Sequence, residues 1–270
     1  SNTASFGQVV ALGSAGNFEF TNIAAISGNT ITFVSNLCKP FAVSGKVQLI
    51  RVPVYNQATI NAVVTSSPWN GTTGGVVAIE ATTSLTFNNI IDVSGKGFVG
   101  GAVTTGWFMC NDPNFASPGT NAGKKGEGIA LAPLNLDGNR APLANGGGGS
   151  NSGNPGAGGG SNGGIGGRGG NQFSGSCPVN TAFGMGGYLL DYSTFRAYLG
   201  GGGGGGHGGG TCVGGASRAE QWRRQSGPVE RRHSGADDGG SIPGHWRGLC
   251  RAVDMEELQR QHSSGGSIAA

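Results

Sequence analysis

The fold of this chain turns on YLGGGGGGGHGGGTC, residues 198–212, in which Gly200–Gly206 are followed by His207 and three more glycines. Such a run reads as a phosphate loop, a slack linker or a structural element in its own right. Its neighbourhood decides. In NGGIGGRGGN (162–171) the unit is Gly-Gly-X, with Asn162, Ile165, Arg168 and Asn171 at every third position, and Gly153, Gly156 and Gly159 keep that period upstream. Three residues per turn is the repeat of the polyproline II helix, which makes no internal hydrogen bonds and leaves every N–H and C=O to bond sideways. A bundle of such helices, flanked on two or three sides, wants glycine on two or three edges, with Cα–H···O contacts as second-order support.

The competing reading is a linker, because glycine-rich chains behave as flexible coils and glycine loses the most backbone entropy on ordering. Against it stands FSGSCPVNTAFGMGGYLLDYSTFRAYL (173–199), an apolar and aromatic segment between two tracts that needs a core. Packing that segment brings the tracts together. The sequence therefore predicts that Gly200–Gly206 is an ordered, extended strand of a lateral bundle, and that 145–216 forms a glycine-rich layer.

Ahead of the tracts, residues 1–100 carry short apolar or β-branched runs: QVVAL (8–12), NFEF (17–20), NTITFV (29–34), GKVQLIRVPV (45–54), QATINAVV (57–64), GVVAIEA (75–81), SLTF (84–87) and IIDVSG (90–95). None sustains a helical period and several alternate at period two, so the region reads as many short strands. Ser27-Gly28-Asn29, Asn70-Gly71 and Asn88-Asn89 supply turn chemistry. Residues 101–144 read as a loop-rich connection with one further strand at Gly128–Leu131, and Asp112-Pro113, Pro118-Gly119 and Asp137-Gly138 as turn signals. The expected fold is all-β, a β-sandwich or solenoid-like set of short strands with a polyproline-II-type glycine layer packed on it.

Charge is sparse, 11% of residues, against about 25% in an average soluble domain. A formal net charge of +3 makes no case for nucleic acid or a membrane surface, and no apolar run is long enough for a spanning helix. Composition breaks near Ala216: the last 54 residues hold 15 of the 31 charged side chains but only 8 of the 57 glycines. Residues 217–270 thus read as an atypical charged tail. Five cysteines, Cys38, Cys110, Cys177, Cys212 and Cys250, fit no zinc spacing. With Cys250 set aside in the tail, the other four suit two disulfides of an exported protein, in any of three connectivities, or buried thiols.

Chemistry-bearing patterns are weak. The GxGxxG of Gly164–Gly169 lacks the preceding strand and following helix that a dinucleotide site requires. GTNAGKKG (119–126) is one residue short of a phosphate loop and has Lys125 where a magnesium-binding hydroxyl belongs. Glycan hydrolysis wants paired carboxylates, and Glu19, Glu80, Asp92, Asp112, Glu127, Asp137 and Asp191 are scattered singly before the tail. Of these, Glu80 and Asp92 fall on consecutive strands, and Asp112 and Asp137 read as turn carboxylates or calcium ligands. His207 reads as a turn marker. Trp69, Trp107, Phe98 and Tyr198 read as core or as a sugar-stacking surface. No catalytic, cofactor or metal site is assigned, and ligand contacts are expected on loops 95–144 and on the X positions of the Gly-Gly-X run.

Taken in order, PWNGTTGGVVAIEA (68–81), LTFNNIIDVSGKGFVGG (85–101), GKKGEGIA (123–130), NGGGGSNSGNPGAGGG (145–160) and LGGGGGGGHGGG (199–210) resemble the glycine-rich modules of large secreted, adhesin-like surface proteins of gliding bacteria, often exported by the type IX system. The likeness spans about 45–216. It implies a non-catalytic, extracellular structural or adhesive module at the cell surface, without cofactor, that meets other surface-protein domains, extracellular polysaccharide or its own copies. The alternatives are a carbohydrate-active enzyme on a β-solenoid scaffold and a self-associating filament subunit. The resemblance also implies closing strands after residue 210, where the charged tail stands instead. Trp222-Arg223 and Trp246-Arg247 become glycine codons one base on, so 217–262 reads as out of frame, or else as a solvated tail with a short helix at 253–261.

Overall fold

A computed structural model describes residues 2–42, 44–105, 109–110, 112–151, 155–174, 177–180, 182–190, 196–208 and 266–269. Among them there is no helix, and the strands are few and short. β1 (Ile23–Ser27) and β2 (Thr30–Phe33) form an antiparallel hairpin. Its turn is Gly28-Asn29, where Gly28 takes a φ of 56° that L side chains rarely adopt. β3 (Val54–Ile60) and β4 (Glu80–Phe87) pair in parallel, with Val54 opposite Glu80 and Ile60 opposite Phe87. The pairing continues as an isolated parallel bridge from Val64 to Ile91. Further along, β5 (Gln172–Ser174) and β6 (Cys177–Asn180) pair antiparallel, and β7 (Gly266–Ala269) pairs with β2.

The all-β expectation is therefore met in its coarse form. Among the described residues the strands make small separate sheets, and neither a sandwich nor a solenoid is formed. QVVAL, NFEF and most of GKVQLIRVPV lie outside strands, as does Gly128–Leu131. Alternation marks a residue's fitness for a pleated surface; a strand also needs an edge to pair with, and these runs find none. Asn70-Gly71 turns as expected, with Gly71 at φ 100° and the Asn70 carboxamide oxygen accepting from the Thr72 and Thr73 N–H groups at 2.9 Å. Asn88-Asn89 bends the chain after β4, and the two side chains also donate to the Asn61 side-chain and backbone oxygens at 2.8 and 3.3 Å.

The glycine tracts form an array of extended segments bonded sideways at every third residue. Phe98, Gly101 and Thr104 donate their N–H groups to the carbonyls of Gly200, Gly203 and Gly206 at 2.9, 2.8 and 3.2 Å. On a second edge, Gly201 and Gly204 donate to Ser161 and Gly158 at 2.9 and 2.8 Å. On the third, Gly202 and Gly205 donate to Glu127 and Lys124 at 2.9 and 2.8 Å, and accept from Gly147 and Ser150 at 2.8 and 3.0 Å. The run 200–206 thus has neighbours around all three of its edges, and each of its residues is buried. Segments 156–159, 166–169 and 184–187 continue the pattern: Gly166 donates to Gly187, Gly169 to Gly184, Gly184 to Gly156 and Gly187 to Gly159.

Glycine is required here by volume and not by φ. The described glycines with positive φ are confined to Gly7–Gly95, outside these segments. A Cβ at Gly201 would run into the Asn145 carbonyl oxygen, at Gly202 into that of Val99, at Gly204 into that of Gly148 and at Gly205 into that of Ala102. In the Gly-Gly-X run only one glycine edge is so constrained. Gly166 and Gly169 face the carbonyls of Gly159 and Gly156, whereas Gly164, Gly167 and Gly170 face open space. The run does have two hydrogen-bonded neighbours, 156–159 and 184–187, but a Cβ is excluded on only one of its two glycine edges.

The interior reverses the usual composition. The largest fully buried side chains are Asn139, Asn145, Asn151, Pro142, Ser150 and Ser161, where a globular core would bury Leu, Ile and Phe. Asn145 donates to the Leu199 carbonyl at 2.9 Å and accepts from the Ile129 N–H at 2.9 Å, a satisfied buried amide. Apolar packing is local: Phe6, Ala116, Ala141 and Leu143 form one cluster beside the array. The amino end is fastened there, since Asn2 accepts from the Phe115 and Ala116 N–H groups, Gly7 accepts from Ala144, and Tyr188 donates its hydroxyl to Ala4 O.

Candidate functional site

Four residues past Phe115 the chain enters GTNAGKKG (119–126), and its second lysine turns inward. Lys125 is 6% exposed. Its Nζ donates to three backbone carbonyls, Phe115 O at 2.8 Å, Asn139 O at 3.0 Å and Ala141 O at 2.6 Å, and lies 4.9 Å from the centre of the Phe6 ring. The backbone fixes this pose: Lys125 N–H donates to Asp137 O at 2.7 Å and Gly126 N–H to Gly147 O at 2.8 Å. Burial pulls the ammonium down from its ordinary 10.5 to about 7, and the nearby Asp137 charge offsets this only in part.

Asp137 is committed elsewhere. Its carboxylate pairs with Lys124 Nζ at 2.8 Å and accepts from the Gly119 N–H at 2.9 Å. Burial would raise its pKa, but Lys124 and Gly119 outweigh burial and hold it below the ordinary carboxylate value. The turn bond expected two residues on from Asp137 is replaced by these two contacts.

Beside Lys125 stands a second polar group. Asn139 is fully buried and left-handed, at φ 75°. Its Nδ2 donates to Asp112 Oδ2 at 2.8 Å and its Oδ1 accepts from the Arg140 N–H at 2.9 Å. Asp112, 4% exposed, accepts on Oδ1 from the Asn114 N–H at 2.9 Å, the bond two residues on that its turn context predicts. The Arg140 guanidinium donates to the Asn114 and Pro113 carbonyls at 3.3 Å and lies 4.2 Å from the Phe115 ring centre; burial depresses its pKa, with Asp112 opposing.

The remaining candidates do not converge. Glu127 accepts the Trp69 indole N–H at 3.0 Å on both oxygens and the Val99 N–H at 3.1 Å. Glu19 accepts the Cys38 and Lys39 N–H groups, and Asp92 that of Ser94. Glu80 opens β4, and Asp191 lies outside the described residues. Among the described residues no three His, Cys, Asp or Glu side chains cluster as metal ligands do. His207 is buried and bridges Thr104 in parallel, so it extends the array where a turn was expected.

Trp69 is 7% exposed and stacks edge-on to Phe98 at 5.7 Å, while the Tyr198 ring packs against Gly16; Trp107 lies outside the described residues. Trp69, Phe98 and Tyr198 are packing groups. Gly164–Gly169 lies within the array and neither follows a strand nor opens a helix, as a dinucleotide loop must. Of the X positions, Ile165 is 75% exposed and Arg168 stacks on the Phe183 ring at 4.7 Å. Cys38 is an exposed thiol, which removes it from the four-cysteine disulfide set; Cys110 is disulfide-bonded, and the pairing of Cys177, Cys212 and Cys250 lies outside the described side chains. The segment 217–262, expected to be out of frame or a solvated tail, and the helix expected at 253–261 are likewise outside the described residues.

An apolar cleft of about 330 Å³ runs between residues 6–15 and 129–133, lined by Val9, Val10, Leu12, Ile129, Leu131 and Pro133 among others. No sequence motif marks the Lys125–Asn139–Asp112 grouping, because KKG reads only as a failed phosphate loop. The available signal was an acidic and an amide residue in turn contexts on either side of an adjacent lysine pair, within a chain poor in charge.

No protein family, no curated protein and no solved structure matches the chain.

Proposed function

We propose that this chain is a non-catalytic structural or adhesive module of an extracellular, cell-surface protein, of the gliding-bacterial kind that its motif order resembles. One observation carries the reading: the run 200–206 is hydrogen-bonded through its backbone to neighbours on all three edges. We take the array to be a polyproline-II-type bundle, the finer form of the expected glycine layer. A framework held by main-chain bonds and lacking side-chain freedom is pre-organised, and its outward positions are then available for contact with polysaccharide or neighbouring domains. The carboxylates fit this role better than hydrolysis, since Glu19, Asp92, Asp112, Glu127 and Asp137 each serve backbone or side-chain donors of the framework.

The test is retention of the purified protein on insoluble polysaccharides, with released reducing ends measured in the same tubes. Retention without release is expected. Sugar release that follows the protein through purification would replace this reading with a carbohydrate-active enzyme, for which the parallel β3–β4 pairing and its Val64–Ile91 continuation would be the start of a solenoid.

A second reading rests on β1, all five of whose residues are exposed, together with exposed Val54 and Tyr55 on β3. In it copies of the chain associate through these faces into filaments.

A further inference from the structure

Lys125 presents a chemical problem. A buried ammonium is ordinarily paired with a carboxylate, because an unpaired buried charge is costly. Here the nearest acid by charge, Asp137, is engaged by Lys124 and Gly119, and Nζ meets only neutral carbonyls and a ring. One of those carbonyls belongs to Asn139, whose carboxamide is equally buried and is gripped at both ends, nitrogen by Asp112 and oxygen by the Arg140 N–H.

We propose that Lys125 and Asn139 become joined by an intramolecular amide bond, made from the lysine amine and the asparagine carboxamide with loss of ammonia, and that Asp112 carries the proton. The step balances without oxidant or co-reactant. The Nζ lone pair adds to Asn139 Cγ, and negative charge gathers on Oδ1, where the Arg140 N–H already donates. The Asp112 carboxylate, on Nδ2, takes the proton from the new ammonium nitrogen and delivers it to the leaving nitrogen. The Cγ–Nδ2 bond breaks, ammonia departs, and a secondary amide closes the loop from 125 to 139.

Addition requires the neutral amine, which burial makes accessible near neutral pH. The charged groups around it are Asp137, held by Lys124, Asp112 on the Asn139 carboxamide nitrogen, and Arg140 next in the chain to Asn139. The surrounding Phe6, Phe115, Ala116 and Ala141 keep the site apolar, so that water does not compete for the carboxamide.

The experiment is the intact mass of the purified full chain after disulfide reduction, followed by tandem mass spectrometry of its peptides. The expected result is a mass about 17 Da below that of the sequence, one ammonia, with a branched peptide joining Lys125 to Asn139. Lys125→Met and Asn139→Gly, the latter compatible with the left-handed backbone, should both return the full sequence mass. A wild-type chain at full mass overturns the proposal. So does a 17 Da loss that persists in Lys125→Met, because that would be cyclisation of an asparagine onto its own backbone. Wild-type mass decides even if a variant fails to fold.

Discussion

At the residue scale, this chain separates two jobs of glycine that a sequence shows as one letter. Gly28 and Gly71 are at positive φ in turns, whereas Gly169 and Gly204 are needed because a Cβ would strike a carbonyl oxygen of the adjoining segment. The Gly-Gly-X run offers an internal control. Gly169→Ala and Gly204→Ala should each lower stability by about 1–3 kcal/mol, the usual range for overpacking. Gly167→Ala, which faces open space, should be neutral or stabilise by up to about 1 kcal/mol, by restricting the unfolded chain. Chemical denaturation of the three variants checks the order; equal losses in all three would mean that period alone matters.

Lys125 gives a pH-dependent counterpart. Its folded pKa lies below the unfolded one, so between about 7 and 10.5 the unfolded chain holds the extra proton. Stability of a chain with a free amine must therefore rise with pH across that window and level off below it. Asn139→Gly, which keeps the amine but deletes its acylating partner, should show this rise in denaturation curves. The wild type, with Lys125 in an amide, should not. The period of three was legible in the letters, but which edge of each turn meets a neighbour was not, because the partners of the 200–206 run come from distant segments, as Ser161 does for Gly201 and Val99 for Gly202.

The elements divide into two kinds that differ in what satisfies their backbones. β1 and β2 are a hairpin with residues on β1 exposed, while the segments around 98–104, 123–127, 145–150 and 200–206 are unclassified by sheet geometry yet donate to one another throughout. Amide exchange should run against strand character: Gly201, Gly202, Gly204 and Gly205 should exchange slowly, and the N–H groups of β1 fast, because protection follows burial and bonding. Hydrogen-exchange mass spectrometry resolves the two sets. The hairpin and the Asn70-Gly71 turn were readable from local turn chemistry. QVVAL and NFEF were misread as strands because β alternation is a property of side chains, and pairing is decided by whatever edge the remainder of the chain supplies. The inward lysine was unreadable for a related reason: its three acceptors are main-chain carbonyls, which every residue possesses and no sequence pattern marks.

For the whole molecule, the exposed apolar side chains are concentrated ahead of the array, with Ile23, Ile26, Val54, Tyr55 and Ile90 all open to solvent. If copies associate through these strands, scattering should grow with concentration in the wild type and stay flat in an Ile26→Lys, Tyr55→Lys double variant, since charges on exposed strand faces oppose edge pairing. Growth that is unchanged in the variant would move the contact to the cleft beside Val9 and Leu131.

The fastening of the amino end governs how the molecule would respond to a pull. Asn2 and Gly7 are tied to Phe115 and Ala144, and the Arg196 side chain and the Ala197 N–H hold Gly13, Ala15 and Gly16, while Phe98 enters the array against Gly200. Both ends of the intervening strand region are thus pinned to the same body. Tension applied at residue 2 would pass directly into the glycine segments and leave β1 to β4 slack. Those strands are then free to diverge in sequence, length or partner without altering the strength of the line on which they hang.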